Sequence, residues 1–162
     1  APLPDRKAQV HTHHIDVSSA SLKQKLIQVC PADHREVDIT EADRIVAGGQ
    51  GVGSPENFKV LEELADALGA AVAGSRLADD KGWVGVDRRV GLTGKTVYPQ
   101  FYLAVGISGA REHTVGMAGA KVVVVINNDP RAEIFTLAQQ GVVGDAREVM
   151  LALLQRLKGK QA

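Results

Sequence analysis

Residues 105–113, Val-Gly-Ile-Ser-Gly-Ala-Arg-Glu-His, set a serine between glycines at the end of an apolar run, with a histidine close behind. Residues 101 to 105 (FYLAV) read as a buried strand, and Ala110 onward has no breaker until Gly116, so a helix is expected to begin at the Ser108-Gly109 joint. A helix starting there presents unpaired main-chain N–H groups and the positive end of its dipole, which suits a phosphate or another anion. His113 falls one turn into that helix, within reach of the same ligand.

Further positions could serve that ligand. Ile45-Val46-Ala47 reads as a short strand running into a glycine-rich turn, residues 48–53. Gly49-x-Gly51 matches the start of the dinucleotide fingerprint G-x-G-x-x-G, but Ser54 stands where the third glycine belongs, and a plain tight turn explains the pair as well. In that fingerprint an acidic residue ends the second strand and holds a ribose; here Ser75-Arg76 occupies the place. Arginine would suit a 2′-phosphate, so an NADP-binding oxidoreductase module is one reading, and a surface ion pair is the plainer one.

Other patterns fail on their own chemistry. The run Gly91-Leu92-Thr93-Gly94-Lys95-Thr96 suggests a P-loop, but Arg89 stands where the first glycine is needed and Tyr98-Pro99 interrupts any following helix. Gly106-Ile107-Ser108-Gly109-Ala110 lacks the last glycine of a G-x-S-x-G nucleophile elbow. Cys30 reads as a small buried hydrophobe. His11, His13 and His14 have no carboxylate or cysteine nearby to complete a metal set and read as solvated strand residues. Asp145 is first a helix N-cap, and second a ligand to a ribose hydroxyl.

These positions need elements to hold them. Ser54-Pro55 opens a helix whose stripe is Phe58, Leu61, Leu64, Ala65 and Leu68, closed by Gly69. Residues 70–74 are a strand, 77–82 a short helical turn, and 83–99 a long irregular segment. Residues 122–126 form a β-branched run, expected as a central parallel strand covered on both faces. Residues 127–130 turn, 134–139 are weakly helical, 142–143 a short strand, and Asp145 caps a last helix with the stripe Val149, Met150, Leu153, Leu154 and Leu157. Residues 9–17 and 24–30 are candidate strands, and 31–41 read as polar connection. The alternation predicts an α/β fold: a doubly wound, mostly parallel, Rossmann-like three-layer sheet with its ligand at the strands' carboxyl ends.

Composition sets the bounds. A chain of 162 residues with 44% hydrophobic and 23% charged residues is an ordinary globule large enough for one well-buried domain. The formal net charge of +0 indicates no general attraction to nucleic acid. One cysteine permits no internal disulfide and points to a reducing compartment. No apolar run approaches the roughly 18 residues of a membrane span.

Taken together, these stretches resemble the C-terminal FAD-binding domain of the electron transfer flavoprotein alpha subunit. The resemblance runs over residues 37–157 and rests on 45–53, 69–83, 90–95, 103–113, 126–130 and 141–145. It implies FAD laid along the carboxyl edge of the sheet, in an electron carrier without a substrate of its own. Such a carrier takes electrons from dehydrogenases, acyl-CoA dehydrogenases among them, and passes them to a quinone oxidoreductase or another acceptor. Carried over by position, Ser75-Arg76 sets a guanidinium near the flavin ring, and the loop Gly91, Leu92, Thr93 and Gly94 brings the Thr93 hydroxyl to flavin N5. Ser108, Gly109 and Ala110 lie at the pyrophosphate, Gly106 and Ile107 before them also belong to the cofactor site, and His113 lies near flavin O2. Asn127 and Asp145 fall at the adenosine end.

The chain departs from the family pattern in three places. Gln50 replaces the arginine of Gly-Gly-Arg-Gly, Leu92 replaces the glutamine of Gly-Gln-Thr-Gly-Lys, and Arg111-Glu112 replaces Ile-Gln. The first two bear on the flavin's potential, and they motivate the reading of a cofactor-free interaction domain that kept the fold. The resemblance also implies a heterodimer with a beta subunit that holds AMP and completes the flavin interface, so the chain alone would retain FAD more weakly. It further implies that residues 1–40 are a linker and joining strands from a preceding domain, that 41–162 are the FAD-binding domain, and that the protein works in a bacterial cytoplasm rather than a mitochondrial matrix.

Overall fold

A computed structural model describes residues 33–159 and two short stretches, 11–14 and 27–28. The strands expected over 9–17 and 24–30 lie for the most part outside the described residues, and Cys30 lies wholly outside them. His11, His13 and His14 are exposed, and no group of three potential metal ligands occurs among the described residues. Residues 33–159 belong to one compact unit.

Five parallel strands make its sheet: β1 (Arg44–Gly48), β2 (Ala71–Gly74), β3 (Phe101–Val105), β4 (Val122–Asn127) and β5 (Gln140–Val143), in the spatial order β2-β1-β3-β4-β5. The chain leaves β1 to one side for β2, then returns across it to β3, which pairs with β1 from Arg44 opposite Phe101 to Gly48 opposite Val105. The order therefore reverses between β1 and β3. Their carboxyl ends splay connections to opposite sides there and leave a crevice.

Strand alternation divides the core into two layers. Val46, Leu103, Val105 and Ile126 face α1 (Pro55–Leu68) and α4 (Ala146–Lys158), where they meet Phe58, Leu61, Leu64, Met150 and Leu154. Of the expected stripe of α1, Phe58, Leu61, Leu64 and Ala65 are buried and Leu68 is half-buried. That of α4 is rotated toward Ala146, Met150 and Leu154, leaving Leu153 partly exposed. The Ser54 hydroxyl caps α1 by accepting from Asn57 N at 3.2 Å, and Gly69 ends it at φ 59°.

Ile45, Ala47, Tyr102, Ala104, Val123 and Val125 face the other way, and mostly irregular chain covers them. Val90, Val97, Ile107, Met117 and Ile134 supply the apolar cover. So does Ile39, wholly buried within the segment read as polar connection. Val37 and Ile39 among polar neighbours are too short a pattern to read, yet Arg88 donates to the Val37 carbonyl at 3.0 Å and Lys95 reaches Asp38 at 2.6 Å, drawing that segment onto the sheet. No helix among the described residues is long and apolar enough to cross a membrane.

Candidate functional site

A cleft of about 490 Å³ lies over the carboxyl ends of β2, β1, β3 and β4. That volume is ordinary for a small-molecule site, and four adjacent strand ends span about 14 Å, so the cleft suits an elongated ligand.

Its floor is main chain. Gly51 N donates to Gly106 O at 2.9 Å, and Gly49 N to Val105 O at 2.9 Å, so the loops after β1 and β3 cross in direct backbone contact. A Cβ at Gly49 would overlap the Gly106 carbonyl, and one at Gly106 (φ +61°) would lie 2.5 Å from Gly51 C. The glycine-rich turn is there because no side chain fits between the two loops. Gln50 lines the cleft from the same turn.

At the β2 end, Ser75 N donates to Gly48 O at 2.9 Å and continues the ladder; the Ser75 hydroxyl then caps the short helix α2 (Arg76–Asp80) by accepting from Ala78 N at 3.4 Å. Arg76 lines the cleft from the first position of α2. It is largely exposed, with Asp80 at 3.7 Å as its ion-pair partner.

Thr93 reaches the cleft from a tight loop. Gly94 N donates to Gly91 O at 2.9 Å, Lys95 N to Arg89 O at 2.8 Å, and Leu92 N to Glu112 O at 2.6 Å. Of the four positions expected in that loop, Thr93 alone lines the cleft. Gly91 (φ +131°) and Gly94 fold the loop, each where a Cβ would strike backbone, and Leu92 is 72% exposed away from the lining.

The helix expected from Ala110 is a single turn, α3 (Arg111–Thr114). It gives way to turns closed by Gly116 N donating to His113 O at 3.0 Å and Met117 N to Thr114 O at 3.1 Å, and Gly116 packs so closely on Gly91 that a Cβ would meet the Gly91 nitrogen. The joint therefore offers local N–H groups rather than a long helix dipole. The N–H groups of Ser108, Gly109 and Ala110 donate no backbone hydrogen bond among the described residues. Ser108 and Ala110 line the cleft with Gly106 and Ile107. Gly109 (φ +93°) lies behind it, pressed on Ile134, whose N–H donates to Ser108 O at 3.1 Å.

His113 lines the cleft but is almost fully buried, only 6% exposed, and its Nε2 lies 2.9 Å from the Tyr102 hydroxyl. Burial pushes its imidazole down to about 4, against a smaller opposing pull from the Val90 backbone, so the ring is neutral at neutral pH. At the β4 end, Asn127 donates through Nδ2 to Ile107 O at 2.7 Å and accepts at Oδ1 from Asp129 N at 2.9 Å. It ties the loops after β3 and β4 together.

Asp145 is not part of the cleft lining. It accepts from Glu148 N at 3.0 Å as the N-cap of α4. Asp145→Ala is expected to lower stability by about 1 kcal/mol, read as a shifted midpoint in urea denaturation with unchanged slope.

Ten of the fifteen expected positions thus meet in one cleft, Ser108 and Arg76 on the same rim. Gly49, Gly51, Leu77, Val90, Glu112, Asp129 and Ala132 line it too. The glycines were visible in the G-x-G pair. Leu77 and Val90 look like ordinary core residues in sequence, and only the return of each loop to the crevice brings them in.

The cleft's own features fit a dinucleotide: unpaired amides at its centre, no side chain on its floor, one cation at an end. Residues 38–118, half of the chain, match the family model described as the electron transfer flavoprotein FAD-binding domain. The chain is 40% identical over 153 residues to the electron transfer flavoprotein subunit alpha of Thermoanaerobacterium thermosaccharolyticum, covering 94% of this chain and 46% of that protein. It is 44% identical over 150 residues to Protein FixB of Clostridium saccharobutylicum, covering 93% and 45%. Over 126 residues it is 50% identical to the electron transfer flavoprotein subunit alpha of Paracoccus denitrificans, covering 78% and 41%. The chain spans a little under half the length of each of these relatives.

Proposed function

The chain belongs to the electron transfer flavoprotein alpha-subunit family, and from that premise we propose that its cleft holds FAD and that the domain is an electron carrier. The observation that carries this reading is the meeting of Arg76, Thr93, Ser108, His113 and Asn127 along one cleft at the β1/β3 crossing. The diphosphate would rest on the amides of Ser108, Gly109 and Ala110, with the flavin ring toward Arg76, Thr93 and His113. The adenosine would extend toward Asn127 and Asp129. FAD would supply the redox chemistry; the chain's residues place it and set its electrostatics.

Among the lining residues Arg76 is the only lasting cation, because Gln50 is neutral and buried His113 is uncharged. Thr93 offers a neutral donor. A beta subunit holding AMP would complete the site. Dehydrogenases, including those acting on acyl-CoA, would donate electrons, and a quinone oxidoreductase would accept them.

The test is a visible spectrum of the purified 162-residue chain after saturation with FAD and gel filtration. Flavin bands near roughly 370 and 450 nm should co-elute with protein, and more flavin should be retained when a beta subunit is present. A colourless protein that instead binds NADPH would establish the nicotinamide reading. One that binds neither would be a cofactor-free interaction domain.

A further inference from the structure

Tyr102 and His113 form a buried polar pair that cofactor placement alone does not require. Tyr102 is the second residue of β3, its side chain wholly excluded from solvent, in the apolar layer that holds Val97 and Met117. Its hydroxyl has one hydrogen-bond partner among the described residues, His113 Nε2 at 2.9 Å. The other ring nitrogen, Nδ1, is buried and makes no hydrogen bond of good geometry.

Two proton arrangements compete. With the proton on Nε2 donating to the hydroxyl, the phenol hydrogen has no acceptor and the Nδ1 lone pair has no donor. With the hydroxyl donating to Nε2, the ring proton sits on Nδ1, and that N–H is the one buried group of the pair left without a partner. The second arrangement leaves fewer buried groups unpaired, and buried polar groups are satisfied wherever geometry permits. Burial raises the tyrosine's ionisation far above its ordinary range, so its hydroxyl remains a donor.

We propose that Tyr102 is a positioning residue whose hydroxyl locks His113 as the neutral Nδ1–H tautomer in the wall of the cleft. His113 then meets any ligand as a fixed dipole rather than as a second cation beside Arg76. The charged residues that line the cleft with the ring are Glu112 on its own turn, Arg76 and Asp129; Arg111 also lies on that turn, and Lys95 on the 91–95 loop is paired with Asp38. The tautomer does not depend on what fills the cleft; its meaning for the flavin rests on the function proposed above.

The test is long-range proton–nitrogen NMR of the uniformly ¹⁵N-labelled full chain without added ligand, with the His113 ring assigned by its loss in His113→Asn. A protonated Nδ1 and a lone-pair-type Nε2 resonance, unchanged across neutral pH, are expected. Tyr102→Phe should abolish that lone-pair signature and repopulate Nε2–H. A wild-type ring protonated at Nε2 would overturn the proposal, as would a folded Tyr102→Phe with wild-type ring shifts. If Tyr102→Phe does not fold, the wild-type spectrum decides alone. Adding FAD separates the two claims: failure to bind flavin counts against the carrier reading and leaves the tautomer result standing.

Discussion

Gly106→Ala is expected to destabilise the domain by about 3 kcal/mol and to abolish flavin retention. The left-handed backbone at φ +61° costs an L-residue about 1–2 kcal/mol. The new methyl would also lie 2.5 Å from Gly51 C and 2.6 Å from Val52 N. Both are backbone atoms, and neither can turn aside as a flexible side chain would. Gly51 is held by its hydrogen bond to Gly106 O, and Val52 is buried under α1. Forcing this crossing apart adds about 1–3 kcal/mol of overpacking and opens the floor of the cleft.

Gly82→Ala is the control for that expectation. Gly82 has φ +71° and nothing within 4 Å of the place a Cβ would occupy, so only the backbone cost applies. Chemical denaturation of the two variants separates strain from collision. Equal losses would show that the loops after β1 and β3 do not press on each other.

The second large effect is on the flavin itself. Arg76→Ala should weaken FAD retention about tenfold and lower the bound flavin's potential. It removes the one lasting cation of the lining, and two charges a few ångströms apart near a surface interact by a few kcal/mol before screening. Arg76 is 66% exposed at its side chain and shares its charge with Asp80, so about 1.4 kcal/mol is the appropriate scale. A tenfold preference for reduced over oxidised flavin corresponds to about 30 mV in a two-electron couple. The difference between wild type and variant should shrink as salt rises, since an exposed charge is screened. Flavin fluorescence titration and a potentiometric titration read both quantities; if neither moves, Arg76 is a surface residue and the flavin ring lies elsewhere.

Much of the fold is legible in the sequence. The α1 stripe from Phe58 to Leu68, its Ser54-Pro55 start and its Gly69 stop are local signals, set by side-chain period and by backbone preferences within a few residues. The β-branched run over 122–126 is likewise local, and it marks a doubly covered strand. The glycines at 49, 51, 106 and 109 are visible as a pattern. Their purpose is not, because the atoms they make room for belong to loops far away in the chain.

The single-turn length of α3 shows the limit clearly. Nothing between Ala110 and Gly116 forbids a longer helix locally; after Thr114 the chain turns instead, and it sets Gly116 against Gly91, 25 residues earlier in the chain. Leu92 and Asp145 make the same point in reverse. Both belong to suggestive motifs, yet the fold turns Leu92 to solvent and commits Asp145 to the N–H of Glu148.

The amino-acid order by itself determined the parallel α/β plan, the helix caps, and the glycine-flanked joint at 106–110 between a strand and a helical turn. These follow from periodicity and backbone stereochemistry, which act over a handful of residues. Only the tertiary structure decided that the floor is two crossing backbones, that Ile39 belongs to the core, and that Tyr102 holds His113. Each of those depends on which strand lies beside which, and strand order is a property of the closed sheet rather than of any one segment.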